Sequence, residues 1–209
     1  MIRVLIADDH PVVRRGLRRI LEDEKDMEVA GEAQNAQQVL DLANRKECDV
    51  LVLDIELPGR SGLDALKELK KSLPKLPVLV LSIHPVEQFA VRVLRAGAVG
   101  YLTKESAPEE LVKAIRKVYG GGKYISALVA DELASELGWG TGKSPHATLS
   151  DREFEVLQMI ASGKAVSRIA KELSFSVKTI STYRARILAK MGMKTNAELT
   201  HYAIENKLV

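Results

Sequence analysis

Residues 50–59 read VLVLDIELPG. Four apolar residues end in one carboxylate, Asp54, and the chain then breaks into a turn. A run this short and this apolar is the pattern of a strand buried on both faces, which belongs in a parallel sheet covered by helices on either side. The same alternation recurs in both directions along the first 120 residues. IRVLIA precedes HPVVRRGLRRILED, MEVAGEA precedes AQQVLDLANRK, DVLVLDI precedes GLDALKELKKS, PVLVLSI precedes VEQFAVRVLRAG, and GYLTK precedes PEELVKAIRKVYG. Five strand-helix units of this kind predict an α/β fold, a doubly wound sandwich around a five-stranded parallel sheet. SAPE at 106–109 predicts a Ser-Glu capping box, and Gly97 and Gly120 stand where helices should stop.

The remaining residues have a different character. After GGGK at 120–123 an amphipathic pattern, SALVADELASEL, runs into GWGTGKSPHAT at 138–148, whose glycines and small polar residues read as a linker from which Trp139 is free to dock on a domain surface. LSDREFEVLQMIASG then opens a segment with helical patterns only. Ser150 and Glu153 form a capping box there, and Leu149 and Phe154 stand at the staple positions. The expected organisation is a first domain over 1–120, a linker with one helix over 121–148 and an all-α domain over 149–209. A chain of 209 residues with 46% hydrophobic content is long enough for two such cores.

The formal net charge of +3 is unevenly placed. Residues 1–120 hold as many acids as bases, whereas 164–194 hold Lys164, Arg168, Lys171, Lys178, Arg184, Arg186, Lys190 and Lys194 against the lone Glu172. That surplus points to a polyanion partner, with a solvated helical face as the plainer alternative. No apolar stretch approaches the ~18 residues of a membrane span, and MIRVLIADDH runs into acid instead of a cleavable signal pattern. No membrane role and a cytoplasmic location are therefore expected. The single cysteine, Cys48, reads as a buried small hydrophobe.

In an open parallel sheet the ligand crevice lies beyond the carboxyl ends of the strands. Asp8 and Asp9 end the first strand, Asp54 the third, Ser82 the fourth, and Thr103 with Lys104 the fifth. Converging carboxylates repel one another and call for a hard divalent cation; Mg²⁺ suits a site with few protein oxygens. A carboxylate backed by such a cation is a competent phosphoryl acceptor, and Lys104 and Ser82 are placed to pair with and hydrogen-bond the phosphoryl oxygens. In the second domain, AVSRIAKELSFSVKTISTYR at 165–184 has helix-turn-helix spacing, although any three-helix bundle shares that apolar pattern. Ile169, Ala170 and Leu173 pack the first helix, and Ala170 and Ile180 mark the close approach of the second. The outward side of the second helix should carry Lys178, Ser181, Thr182, Arg184 and Ala185, with Thr179, Tyr183 and Arg186 completing the DNA-contacting set.

These motifs carry a resemblance. DD at 8–9, D at 54 with P-G-x-x-G at 58–62, S at 82 and Y-L-T-K at 101–104 resemble the receiver domain of two-component response regulators, a flavodoxin- and CheY-like fold. L-S-x-R-E-x-E-V-L, I-A-x-x-L, S-x-K-T-I-S-x-Y and K-M-G resemble the four-helix LuxR-type DNA-binding domain, and the two together resemble the NarL/FixJ class. The resemblance implies Asp54 as phospho-acceptor, Asp8, Asp9, Asp54 and the Glu56 carbonyl around Mg²⁺, and Ser82 and Tyr101 as the switch pair beside Lys104. Glu56 and His84 overlook the incoming nucleophile and are expected to tune dephosphorylation, with a solvated loop histidine the alternative for His84. Here His10 follows the acidic pair and flanks the pocket. Ser174 occupies a turn position where the family often has glycine, and KTISTY departs from the family's usual readers. The implied partners are a sensor histidine kinase, double-stranded promoter DNA, a second copy and RNA polymerase. The last helix, capped by Thr195 and Glu198, has an apolar stripe of Leu199, Tyr202, Ala203 and Ile204, to be divided between a dimer contact and the bundle's own core. Two rivals remain: a constitutive DNA-binding protein with a non-switching receiver, and a Mg²⁺-dependent hydrolase that passes through an aspartyl-phosphate.

Overall fold

The computed structural model describes residues 1–45, 47–58, 61–83, 86–125, 130, 144–206 and 208–209. They form two compact units, Met1–Leu133 and Ala134–Val209. Of the helix expected over 126–137 only Ala130 is described, and its backbone is helical; Trp139 lies outside the described residues.

In the first unit β1 (Ile2–Ala7), α1 (Pro11–Glu22), β2 (Met27–Ala33), α2 (Ala36–Asn44), β3 (Val50–Asp54), α3 (Gly62–Ser72), β4 (Val78–Ser82), α4 (Val86–Arg95), β5 (Gly100–Thr103) and α5 (Ala107–Tyr119) alternate as expected. The strands pair in parallel in the order β2-β1-β3-β4-β5. VLVLD and VLVLS, two of the three strands flanked on both sides within the sheet, are buried along their whole length. One sheet face, including Val4, Ile6, Val52, Leu79 and Leu81, packs on Leu17 and Leu21 of α1 and Leu111, Ile115 and Val118 of α5. Because strand side chains alternate, the intervening Leu51, Leu53 and Val80 turn to the opposite face, where α2 to α4 lie. Registers of Asp54 with Leu81 and of Ser82 with Thr103 bring the polar strand ends to one rim.

One local expectation is corrected. Ser106 does not cap α5 through its side chain: its backbone is already helical, and it is tied back to Thr103, whose Oγ1 accepts from Ser106 N at 3.1 Å and whose carbonyl accepts from Ser106 Oγ at 3.3 Å. Gly120 does end α5, but the left-handed residue is Gly121, with φ of +83°. Gly97, with φ of +104°, ends α4 in the manner expected: Ala98 N–H reaches back to the Val93 carbonyl at 3.0 Å.

The second unit is a 3₁₀ turn (Pro145–Thr148) followed by α6 (Asp151–Ala161), α7 (Val166–Glu172), α8 (Val177–Met191) and α9 (Asn196–Glu205). The Ser150–Glu153 box closes in both directions, with Leu149 and Phe154 buried beside it. Glu153 also accepts from Lys190 Nζ at 2.6 Å, fastening the start of α6 to the end of α8. Burial would raise the Glu153 carboxyl, yet Lys190 and the Ser150 donors hold it below the ordinary glutamate value. At α9 the box is half formed: Thr195 accepts from Glu198 N, while Glu198 reaches one residue further back to Lys194 N.

Ile169, Ala170 and Ile180 are fully enclosed at the crossing of α7 and α8, with Leu173 half-buried beside them. The turn between these helices brings Phe175 N–H to the Ala170 carbonyl at 2.8 Å, which requires a left-handed residue at Ser174, where φ is +56°. Only glycine takes that conformation without steric cost. Ser174→Gly should therefore stabilise the chain by about 0.5–1 kcal/mol, after offsetting glycine's extra freedom when unfolded. Urea unfolding checks this as a higher midpoint at an unchanged slope.

Candidate functional site

The rim of the parallel sheet collects its charges within a small volume. Asp8 follows β1 and Asp54 ends β3; each side chain is 1% exposed, and Lys104 Nζ lies 2.7 Å from Asp8 Oδ2 and 2.6 Å from Asp54 Oδ2. The lysine is aimed by its own backbone, whose N–H donates to the Ser82 carbonyl at 2.7 Å and so ties its position to the end of β4. Asp54 Oδ1 accepts from Glu56 N at 3.0 Å, leaving the Glu56 side chain exposed at the mouth. Asp9, one-third exposed, lies with its Oδ1 2.7 Å from His10 Nδ1, and the imidazole flanks the pocket from solvent.

The electrostatics follow from burial. Desolvation dominates at Asp54 and raises its carboxyl above the ordinary aspartate value even though Lys104 opposes the shift. The same desolvation would lower Lys104, but hydrogen bonds to Asp54 and Asp8 prevail and hold the ammonium above the ordinary lysine value. Ligand atoms from Asp8, Asp9, His10 and Asp54 lie within 4.8 Å of one another. Asp8 Oδ2 and Asp9 Oδ1 are shielded from solvent, and each meets one nitrogen, Lys104 Nζ and His10 Nδ1 respectively, at 2.7 Å. Hard, negative oxygens shielded from water, with lone pairs to spare, are the donor set of a small divalent cation.

Two further features shape the pocket. Gly62 begins α3 directly against the end of β3: a Cβ there would overlap the Asp54 carbonyl oxygen and come within 2.8 Å of Ile55 Cα, which accounts for the second glycine of the P-G-x-x-G motif. Ser82 and Tyr101 are fully enclosed, so the tyrosine ring is already inside. His84 lies outside the described residues.

The sequence reading missed Arg14. Its side chain is 7% exposed and donates from Nη1 to the Asp8 carbonyl at 2.7 Å and from Nε to Glu32 Oε2 at 3.1 Å. Glu32 on β2 also accepts from Arg18, and the two guanidiniums hold its carboxyl below the ordinary value although burial alone would raise it. Arg14 thereby fixes the turn that presents the acidic pair. A signal was available, because Arg14 falls with Leu17 and Leu21 on the inward stripe of α1, where a charge is out of place unless it serves a buried partner.

On α8 the outward residues are Lys178, Ser181, Thr182, Ala185 and Arg186. Arg184, expected among them, is half-buried and donates from Nε to Asn196 Oδ1 at 2.6 Å. Tyr183 is half-buried with its ring edge-on to Phe175 at 6.2 Å, and Thr179 Oγ1 lies 2.8 Å from the capping hydroxyl of Ser176. Lys164 and Arg168 pair with Glu172 at 2.6 and 2.9 Å. Lys171, Lys178 and Arg186 form no ion pair among the described residues, so their charge is available to a partner. On α9, Leu199 and Ala203 close the core, Tyr202 meets His146 Nδ1 at 2.7 Å, and Ile204 stays 61% exposed.

Comparison with known proteins matches both halves. Residues 4–116 match the response regulator receiver domain, and residues 147–203 match the bacterial regulatory proteins of the luxR family. The chain belongs to the response regulators of the NarL/FixJ class, transcription regulators switched by phosphorylation, with a receiver joined to a LuxR-type helix-turn-helix domain. It is similar to the response regulator UvrY of Escherichia coli strain K12, 39% identical over 209 residues, covering all of this chain and 96% of the relative. The response regulator GacA of Pseudomonas aeruginosa is 38% identical over 210 residues, covering all of this chain and 98% of that protein. Among solved structures, RcsB of Salmonella typhimurium aligns over 98% of both chains with a TM-score of 0.75 at 29% identity. RcsB bound to promoter P1flhDC in the presence of the phosphomimetic BeF3- aligns with a TM-score of 0.69 at 31% identity, covering 96% of this chain and 97% of that one.

No helix among the described residues is long and apolar enough to cross a membrane. Arg14→Ala, which strips a buried carbonyl and Glu32 of a charged donor, should destabilise the receiver by about 2–4 kcal/mol and raise the Mg²⁺ concentration needed for half-maximal phosphorylation. Urea unfolding and a Mg²⁺ titration of phosphoryl uptake check this; Arg14→Lys should recover part of the stability but only one of the two hydrogen bonds.

Proposed function

We propose that Asp54 accepts a phosphoryl group from the phosphohistidine of a sensor kinase, and that this changes how the chain dimerises and binds promoter DNA. The observation that carries the reading is one ammonium, Lys104, held within 2.7 Å of both Asp8 and Asp54 at the rim of a buried parallel sheet. An Asp54 oxygen attacks phosphorus, the donor's N–P bond breaks as the new O–P bond forms, and the imidazole leaves with the bonding electron pair. Glu56 N–H steadies the acceptor through Oδ1. Lys104 turns to a phosphoryl oxygen, and the Ser82 hydroxyl donates to another. Asp8, Asp9, Asp54 and the Glu56 carbonyl would hold Mg²⁺, which would supply neutralisation of the charge on the phosphoryl oxygens. With Ser82 drawn to the phosphate, enclosed Tyr101 couples the pocket to the surface of α4, β5 and α5. Glu56 and His84 at the mouth tune the lifetime of the acyl phosphate.

In this reading residues 1–120 are the receiver, 121–148 the linker and 149–209 the output domain. Helix α8 enters the major groove with Ser181 and Thr182 at base edges and Lys178 and Arg186 at phosphates; Thr179, Tyr183 and Arg184 support it at the flanks. Ile204, left outside the core of α9, serves the two-fold contact between copies. The chain is a cytoplasmic regulator and not an enzyme of turnover, and it acts on RNA polymerase at the promoter.

Intact mass after incubation with Mg²⁺ and acetyl phosphate tests the first half. One phosphoryl group should add to the wild type and none to Asp54→Asn at unchanged fold; equal uptake by the variant would refute the assignment. Lys178→Ala tests the second half. Affinity should fall on every DNA sequence and the slope of log affinity against log salt should shrink by about 0.9, the value of one phosphate contact. A loss confined to one base position would make Lys178 a reader instead of an anchor.

A further inference from the structure

The outward side of α8 is made of short side chains between two long cations. Val177, at the first helical position, is 52% exposed; Ser181, Thr182 and Ala185 follow along the helix, and Lys178 and Arg186 stand beside them without ion pairs among the described residues. A hydroxyl has a single proton to donate. Ser181 Oγ gives its proton to the Val177 carbonyl at 2.8 Å, and Thr182 Oγ1 gives its own to the Lys178 carbonyl at 3.0 Å. What both hydroxyls present to a partner is therefore an acceptor lone pair, and Thr182 adds a methyl group.

Of the donors able to specify guanine, Arg184 and Tyr183 are turned aside, while Lys178 and Arg186 stand at the flanks of the short side chains. Reading guanine takes a paired donor to O6 and N7, usually arginine. Arg184 is engaged with Asn196, and Tyr183 lies against Phe175. The face left by these contacts is acceptor oxygen and hydrocarbon, flanked by positive charge that complements the phosphates on either side of a groove. In the major groove the exocyclic amines belong to adenine and cytosine, and the methyl belongs to thymine alone; only the thymine·adenine pair offers both.

We infer that α8 reads thymine·adenine pairs, with thymine methyl groups against Val177, the Thr182 methyl and Ala185, and an adenine amine donating to the Ser181 or Thr182 hydroxyl. This deepens the proposed function and rests on α8 being the helix that enters the groove.

The experiment begins by selecting duplexes from a random-sequence pool with the full-length chain, acetyl phosphate and Mg²⁺. Each thymine of the selected half-site is then replaced by deoxyuridine, which removes the methyl and keeps every hydrogen-bonding group. The selected half-sites should hold thymine·adenine pairs, and uracil at one or two of them should weaken binding by about fourfold per methyl, as the burial of one such group implies. Thr182→Ser, which keeps the hydroxyl, should erase that penalty at one position, and Val177→Ala at another. Equal affinity for thymine and uracil duplexes, or a guanine·cytosine core in the selected sites, overturns the inference and leaves the DNA-binding reading standing. A pool with no enrichment at all overturns both.

Discussion

Three acidic groups and one ammonium set the terms for the receiver. Asp8 and Asp54 are enclosed, and Lys104 is shared between them. At separations below 4.8 Å and an effective dielectric near 20, each pair of carboxylates repels by roughly 3–4 kcal/mol. A single lysine offsets one such charge and not three. The pocket therefore holds a net negative charge in a place where water is scarce. That excess makes the site complementary to a divalent cation, and it makes the resting arrangement one that a change of charge can displace. A phosphoryl group on Asp54 would give Lys104 a new claimant, and the lysine's main chain is bonded to the end of β4. A change of charge is thus transmitted to the strand ends through a covalent and hydrogen-bonded path only a few residues long.

Holding these charges together places demands on residues remote from the chemistry. The sheet must bring four strand ends to one rim, which the fully buried β3 and β4 accomplish through ordinary burial of Val and Leu. Gly62 allows α3 to begin against the end of β3. Arg14 carries a charge into the inward stripe of α1 and satisfies the Asp8 carbonyl, at the cost of a partner, Glu32, and a second arginine to hold that partner. The acidic turn is thus supported by an ion network that reaches from α1 to the neighbouring strand β2.

The order of strands and helices was legible because each strand is a short apolar run and each helix an interrupted one, and these two periods do not mimic each other. The acidic rim was legible for a related reason: polar residues that end apolar strands must converge once the sheet is parallel. What escaped was set by tertiary contact. Ser106 has the composition of an N-cap, yet Thr103 claims it across the turn. Arg184 has the spacing of an outward residue, yet Asn196 on the next helix draws it in. The division of the α9 stripe, with Leu199 and Ala203 inside and Ile204 outside, depends on where α6 lies, which no local pattern encodes.

The basic surplus of the second unit illustrates how far charge counting goes. Taken as a sum, residues 164–194 are a cationic segment; taken singly, the cations have separate employments. Lys164 and Arg168 hold Glu172, and Lys190 holds Glu153 at the capping box, contacts that define helix ends and the packing of α6 on α8. Lys171, Lys178, Arg186 and Lys194 face outward without an ion pair among the described residues, and Arg184 bonds only the neutral amide of Asn196. Exposed ion pairs contribute little to stability, about 0–1 kcal/mol each, so Lys164 and Arg168 are not needed to hold the fold with great force. Their pairing does something else: it removes their charge from the field a polyanion would meet and leaves the free cations clustered along the HTH face. A phosphate backbone is therefore met by a few placed charges and not by a diffuse cationic cloud. In the proposed reading, placement of that kind would set the register in which the short side chains of α8 approach the bases.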